Sequence, residues 1–151
     1  MKKSFVLAAL LPLAVAAQDI KQELHAELKA QVEFPATVPA GNYSGITWLG
    51  GNEYAVVCDK ARADGFFIFH INIDPDTGVI SHAYNNEFRS SGYANRDMEG
   101  IAFMPKDTTI FISGEGDNSI KEYELKTGKY TGRELNVPDT VPYTHMTPTT
   151  N

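Results

Sequence analysis

Between Asn42 and Val137, apolar residues recur in short segments separated by Gly, Asp, Asn and Pro. Segments 43–49 and 53–59 flank Gly50-Gly51-Asn52, a composition that favours a tight hairpin. Segments 66–73 and 79–88 flank Asp74-Pro75-Asp76-Thr77-Gly78, a second cluster of turn residues. A further set follows at 99–103, 109–113, 119–125 and 129–137, divided by Pro105-Lys106-Asp107 and Lys126-Thr127-Gly128. The pattern predicts strands throughout and an all-β fold.

The two sets superpose. Ser44-Gly45-Ile46-Thr47-Trp48 aligns with Glu99-Gly100-Ile101-Ala102-Phe103, the segment starting at Tyr54 with that starting at Ile110, and Thr77-Gly78 with Thr127-Gly128. Each unit holds four strands, with a period of about 50–55 residues, the arrangement of a β-propeller blade. A sandwich of two similar sheets is the alternative. Trp48, Phe66, Phe67 and Phe69 read as core between blades.

Ahead of the repeats, residues 23–34 alternate polar and apolar. That period predicts a strand over residues 29–34, while residues 19–28 also fit helical spacing and stay open between strand and helix. A propeller requires at least four blades, whereas this chain supplies two. The expectation is a partial propeller, from an incomplete gene or completed by self-association through an exposed blade flank.

Lys2 and Lys3 precede an apolar run over residues 5–17 that ends in small residues, as in a cleaved secretory signal peptide. The run is too short for the ~20 residues of a membrane span. The expected divisions are a signal peptide at 1–17, an N-terminal segment at 18–41, the propeller-like domain at 42–138 and an unstructured tail at 139–151. This implies a secreted or periplasmic protein. The formal net charge is −6, and about −8 once Lys2 and Lys3 are removed. Such a surface disfavours nucleic acid and anionic membranes. The single cysteine, Cys58, lies in an apolar run and reads as a packed small hydrophobe.

In a meander, the start of the first strand and the end of the second share one edge of the sheet. One rim should therefore collect Asp97 and Glu99, Glu115 and Asp117, and from the earlier unit Ser44 and Asp59, with Lys60, Arg62 and Arg96 in the same loops. Asp59, Asp97, Glu99, Glu115 and Asp117 are oxygen donors of the kind Ca²⁺ accepts. Arg96 and Lys60 can orient an anionic substrate beside them. The competing reading is structural: acidic loop residues form turns and pair with Arg96. Glu99 and Glu115 are the preferred catalytic positions, each beside a glycine that allows close backbone approach. His25, His70, His82 and His145 show no metal-ligand spacing, and Ser44 lacks the flanks of a nucleophile elbow.

Ser44-Gly-Ile-Thr-Trp48, Tyr54-Ala-Val-Val-Cys-Asp59, Asp97-Met-Glu-Gly-Ile-Ala102 and Ile112-Ser-Gly-Glu115 resemble the esterase-like phytase family, as does Asn136-Val137-Pro138. The resemblance covers residues 42–138, about the first third of a full family domain. It implies a propeller, export, and hydrolysis of small phosphate or carboxylic esters, with Asp59, Asp97, Glu99 and Glu115 at motif positions. Two functions follow as expectations: a metal-assisted ester hydrolase, or a non-catalytic exported propeller fragment that binds a ligand or partner.

Overall fold

Eight strands in two antiparallel meanders make up the regular structure of the computed structural model, which describes residues 26–137. The first sheet runs β1 (Tyr43–Gly50), β2 (Glu53–Cys58), β3 (Gly65–Ile73) and β4 (Ile80–Ser90), paired in that order. The second repeats the plan with β5 (Met98–Met104), β6 (Thr109–Gly114), β7 (Ser119–Glu124) and β8 (Tyr130–Asn136). No helix occurs among the described residues. Neither sheet closes into a barrel, and the pair is a partial propeller.

Local chemistry sets the turns. Gly51, at φ +55°, sits in the left-handed region that the β1–β2 hairpin demands. In the β3–β4 turn, the Asp74 carboxylate accepts hydrogen bonds from the Asp76 and Thr77 backbone amides at 3.1 and 2.7 Å. It also accepts from the Thr77 hydroxyl at 2.7 Å, which closes an Asx-type turn.

Alternation then decides which side chains meet. Ala55, Val57, Phe66 and Ile68 of the first sheet face Met98, Ile110, Ile112 and Tyr123 of the second, and these form the core between the sheets. β5 lies against β1 and β2. Burying aliphatic and aromatic side chains here contributes roughly 1.5–3 kcal/mol each, which holds the blades together. Cys58 is buried, in keeping with a packed hydrophobe.

The N-terminal segment differs from the expected strand or helix. Residues 29–34 pair with no sheet edge and residues 26–34 carry no regular structure; the expectation for residues 18–25 lies outside the described residues. Leu28 is 99% exposed and Val32 48%, so the apolar half of the alternation has no surface to cover. Pro35 then enters a turn in which the Phe34 carbonyl accepts from the Thr37 and Val38 amides at 3.0 and 2.8 Å. Thr37 ties the segment to β4, accepting from the Asn85 amide at 3.1 Å and donating through its hydroxyl to the Ala83 carbonyl at 2.5 Å. Trp48 also departs from the core reading. It is 60% exposed, on the sheet face away from the second blade. Phe67 and Phe69 share that face, where they pack edge-on against Tyr43, and of the four only Phe66 joins the core between the blades. The signal peptide at 1–17 and the tail at 139–151 lie outside the described residues, and no described helix is long and apolar enough to cross a membrane.

Candidate active-site rim

The first strands of the two blades carry the same irregularity. In β1 the pairing skips Ser44, passing from Tyr43 with Cys58 to Gly45 with Val57. In β5 it skips Glu99, passing from Met98 with Gly114 to Gly100 with Ser113. One residue near the start of each blade's first strand is thus left out of the ladder, a β-bulge, and such bulges re-aim a side chain. Glu99 projects from this bulge and is exposed. The hydroxyl of Ser44 donates to the Met98 carbonyl at 2.6 Å and ties one bulge to the other.

The acidic residues after the second strands are placed by matching backbone bonds. The Asp59 amide donates to the Asn42 carbonyl and the Glu115 amide to the Asp97 carbonyl, both at 2.9 Å. Asp97 has a φ of +51°, unusual for a residue with a Cβ. Its amide is held by the Asn95 side-chain carbonyl at 2.8 Å. The Asn95 amide in turn donates to the Asp59 and Ala61 carbonyls at 2.6 and 2.8 Å, locking the crossover between blades onto the β2–β3 loop.

These constraints unite Asp59, Lys60 and Asp97. The Lys60 ammonium donates to the Asp59 carboxylate at 3.0 Å and the Asp97 carboxylate at 3.2 Å, which raises its pKa. An ammonium carries three donors, so two bonds leave one N–H for an anionic oxygen. Asp117 stands apart from that trio. Burial opposes its ionisation, but hydrogen bonds from Lys121, Ser119 and Arg96 hold its carboxyl below the ordinary range. Glu115 is exposed, on the same rim.

Arg96 is 7% exposed, and its guanidinium is engaged on every side. Nε donates to Asp64 at 3.2 Å; Nη1 donates to Asp117 at 2.6 Å and to the Ser119 hydroxyl at 3.0 Å. Nη2 donates to the Ile112 carbonyl and the Tyr123 hydroxyl, both at 3.1 Å. Burial alone would lower its pKa; Tyr123, Asp64 and Asp117 reverse that and raise it. A Cβ at Gly114 would come within 2.5 Å of Nη1, so glycine there makes room for the guanidinium. Asp64 and Tyr123, which motif reading passed over, complete the network. The Tyr123 hydroxyl donates to Asp64 at 2.6 Å, as does that of Ser91 at 2.9 Å. Burial first, and then the Asp64 carboxylate, push the Tyr123 pKa well above its ordinary value. The inward phase of Tyr123 in an alternating strand was the one available signal for it.

Beside the rim lies a cleft of about 430 Å³, whose walls include Tyr93, Asn95, Arg96, Asp97, Asp117 and Tyr130. The expected calcium set does not converge in it. Among the described residues, no three His, Cys, Asp or Glu side chains come together in a way that could hold a metal ion. The reason is visible in the pairing: Asp59 and Asp97 share Lys60, and Asp117 serves Arg96 and Lys121. The arrangement gives a polar rim of mixed charge with exposed carboxylates at Glu99 and Glu115.

A search of curated proteins finds no match to the chain. The phytase-like family, described as esterase-like activity of phytase, matches residues 38–149, most of the chain and all of both blades. The blades, the paired bulges and the rim therefore belong to a member of the phytase-like family.

Proposed function

We propose that this chain is an exported member of an ester-hydrolysing family and contributes an acidic rim that acts on small phosphate or carboxylic esters. The family match over residues 38–149 carries this reading. Glu99 and Glu115 are its catalytic carboxylates, the exposed acids at the bulge of β5 and the end of β6. One of them accepts the proton of a water whose oxygen bonds to the phosphorus or acyl carbon. The ester bond to the alcohol breaks, and the alcohol leaves with a proton from solvent or from the partner carboxyl. Lys60 orients the anionic oxygen through its third N–H. Arg96 acts as a positioning residue, fixing Asp117 and the crossover. Asp59, Asp97, Glu99, Glu115 and Asp117 are the carboxylates that would have to leave their present partners to hold an added calcium ion, which would supply positive charge to polarise the ester.

The test is hydrolysis of p-nitrophenyl phosphate and p-nitrophenyl acetate by the purified chain, with calcium and with chelator. Turnover lost in Glu99→Gln and Glu115→Gln supports the rim as the site, and its dependence on calcium decides the metal. Turnover indifferent to both substitutions sinks the assignment. A second reading, a non-catalytic exported propeller that binds a ligand or partner, is favoured by one observation: the guanidinium of Arg96 is fully engaged by protein acceptors. No turnover with either ester supports it.

A further inference from the structure

The cleft of about 430 Å³ lies on the seam between the two blades, and its walls come from residues 64–130. The crossover from β4 to β5 supplies Tyr93, Asn95 and Asp97, and the second blade supplies Asp117, Lys121 and Tyr130. Lys121 shares the phase of Tyr123 in β7, and Tyr123 pairs with Tyr130 of β8, so all three face the first blade. The first blade covers Tyr123 completely and leaves Lys121 and Tyr130 half-buried. That gap is the cleft.

One wall is an aromatic surface held in place. Tyr93 is 61% exposed, yet its amide donates to the Ser91 hydroxyl at 3.2 Å and its carbonyl accepts from the Asp64 amide at 3.1 Å. Its ring stands edge-on to that of Tyr130, with centroids 6.3 Å apart and planes at 85°. The Lys121 ammonium lies 5.9 Å from the Tyr130 ring centroid, so the place a cation would take over that ring is filled. Tyr93 remains as a fixed aromatic face open to solvent.

Polar atoms surround that face, and the charges among them are already paired. Arg96 spends every guanidinium donor on protein acceptors. Lys121 donates to Asp117 at 2.7 Å, and Lys60 donates to Asp97 at 3.2 Å. An anion therefore finds no free guanidinium in the cleft, and a cation meets Lys121. Acceptor capacity is left over, since a carboxylate oxygen takes about two hydrogen bonds, while Oδ2 of Asp117 and Oδ1 of Asp97 each accept one from the described residues. A purely apolar ligand would bury these acceptors unpaired, which is costly. The ligand that fits is neutral, with an apolar ring face for Tyr93 and hydroxyl donors around its edge. We propose that the cleft binds a neutral pyranose sugar, stacked on Tyr93, with its hydroxyls donating to Asp97 and Asp117. The cavity falls within the range of roughly 300–1,000 Å³ usual for small-molecule sites. Binding there needs no turnover, so it stands or falls apart from the hydrolytic rim.

Two-dimensional NMR of the isotope-labelled full chain tests this, by titration with the methyl glycosides of glucose, galactose and mannose. At least one should give saturable amide shifts confined to residues 93–97, 116–121 and 130. Tyr93→Ala should weaken binding roughly three- to tenfold, the scale of one aromatic contact, and Tyr93→Trp should retain it. The Tyr93 side chain is exposed, so both variants keep the fold, checked by an unchanged spectrum outside the cleft. Inorganic phosphate and p-nitrophenol should leave the cleft amides unmoved. Shifts there from either one as large as those from the sugars overturn the proposal. So does a cleft that responds to none of the glycosides, or an affinity that Tyr93→Ala leaves unchanged.

Discussion

The hydroxyl of Tyr123 donates to the carboxylate of Asp64 at 2.6 Å although 59 residues separate them in sequence. Asp64 precedes the third strand of one blade and Tyr123 lies in the third strand of the next, so this bond and the shared Arg96 form a polar clasp inside an apolar interface. Removing one partner of a buried charge pair leaves the other unpaired, which costs roughly 3–5 kcal/mol. Asp64→Ala should therefore destabilise the fold by about that much, and Tyr123→Phe, which removes one hydrogen bond, by roughly 1–3 kcal/mol. Urea unfolding with an unchanged slope measures both. Equal, small losses for the two variants would show that the clasp is dispensable.

The same tyrosine should make the protein sensitive to alkali. Its folded pKa lies above the ordinary value of 10.0. Above that value an unfolded Tyr123 ionises while the folded one keeps its proton, so the folded state binds more protons and stability falls as pH rises. The contribution is intact below pH 10.0 and declines above it. Thermal melts from pH 9 upward, ~1 unit below the onset, should show a decline that Tyr123→Phe reduces.

Acid works on the opposite face of the second blade. Glu122 is buried at 0% exposure, where it pairs with Arg133 and accepts hydrogen bonds from Thr131 at 2.7 Å and Thr109 at 2.9 Å. Arg133 first, then the two hydroxyls, hold its carboxyl below the ordinary 4.5. A depressed folded pKa adds stability above the unfolded value, and that stability is lost as pH falls through the folded one. The melting temperature should drop as pH is lowered from 4.5. Glu122→Gln should lower stability at neutral pH and flatten that acid slope; an unchanged slope would count against the assignment.

Two glycines at the same frame position should respond differently. A Cβ on Gly45 would sit 2.6 Å from the backbone carbonyl of Glu99, which is fixed by the neighbouring blade. A Cβ on Gly100 would sit 2.7 Å from the Ser113 hydroxyl, a rotatable side chain of its own sheet. Overpacking against rigid structure costs roughly 1–3 kcal/mol. Gly45→Ala should lose that much, and Gly100→Ala less, in parallel chemical denaturation. The reverse order would mean that the blades part more easily than their packing suggests.

Strands were readable because their cues are local. Each of the eight observed strands coincides with an expected segment, with ends shifted by no more than two residues, since glycine, Asx turns and alternation act over a few neighbours. The rim was also legible, because meander topology puts alternate loops on one edge. What escaped notice depended on contacts between distant residues. Nothing near Asp64 or Tyr123 announces that they meet around Arg96. The alternation before the repeats looked like a strand, but alternation supplies only one side of a pairing, and no sheet edge takes up residues 29–34. Trp48 suggested core by its chemistry, yet its strand phase turns it outward.

The doubled bulge at Ser44 and Glu99 separates chemistry from architecture. Each bulged residue stands outside the ladder, so its side chain can be exchanged with little disturbance to the hydrogen-bonding frame on either side. The two blades have used that freedom differently, one placing a hydroxyl and the other a carboxylate on an otherwise matching framework. A blade of this kind behaves as a cassette with one variable site. Gene duplication can then diversify the reactive edge of such a protein without reopening the question of how it folds.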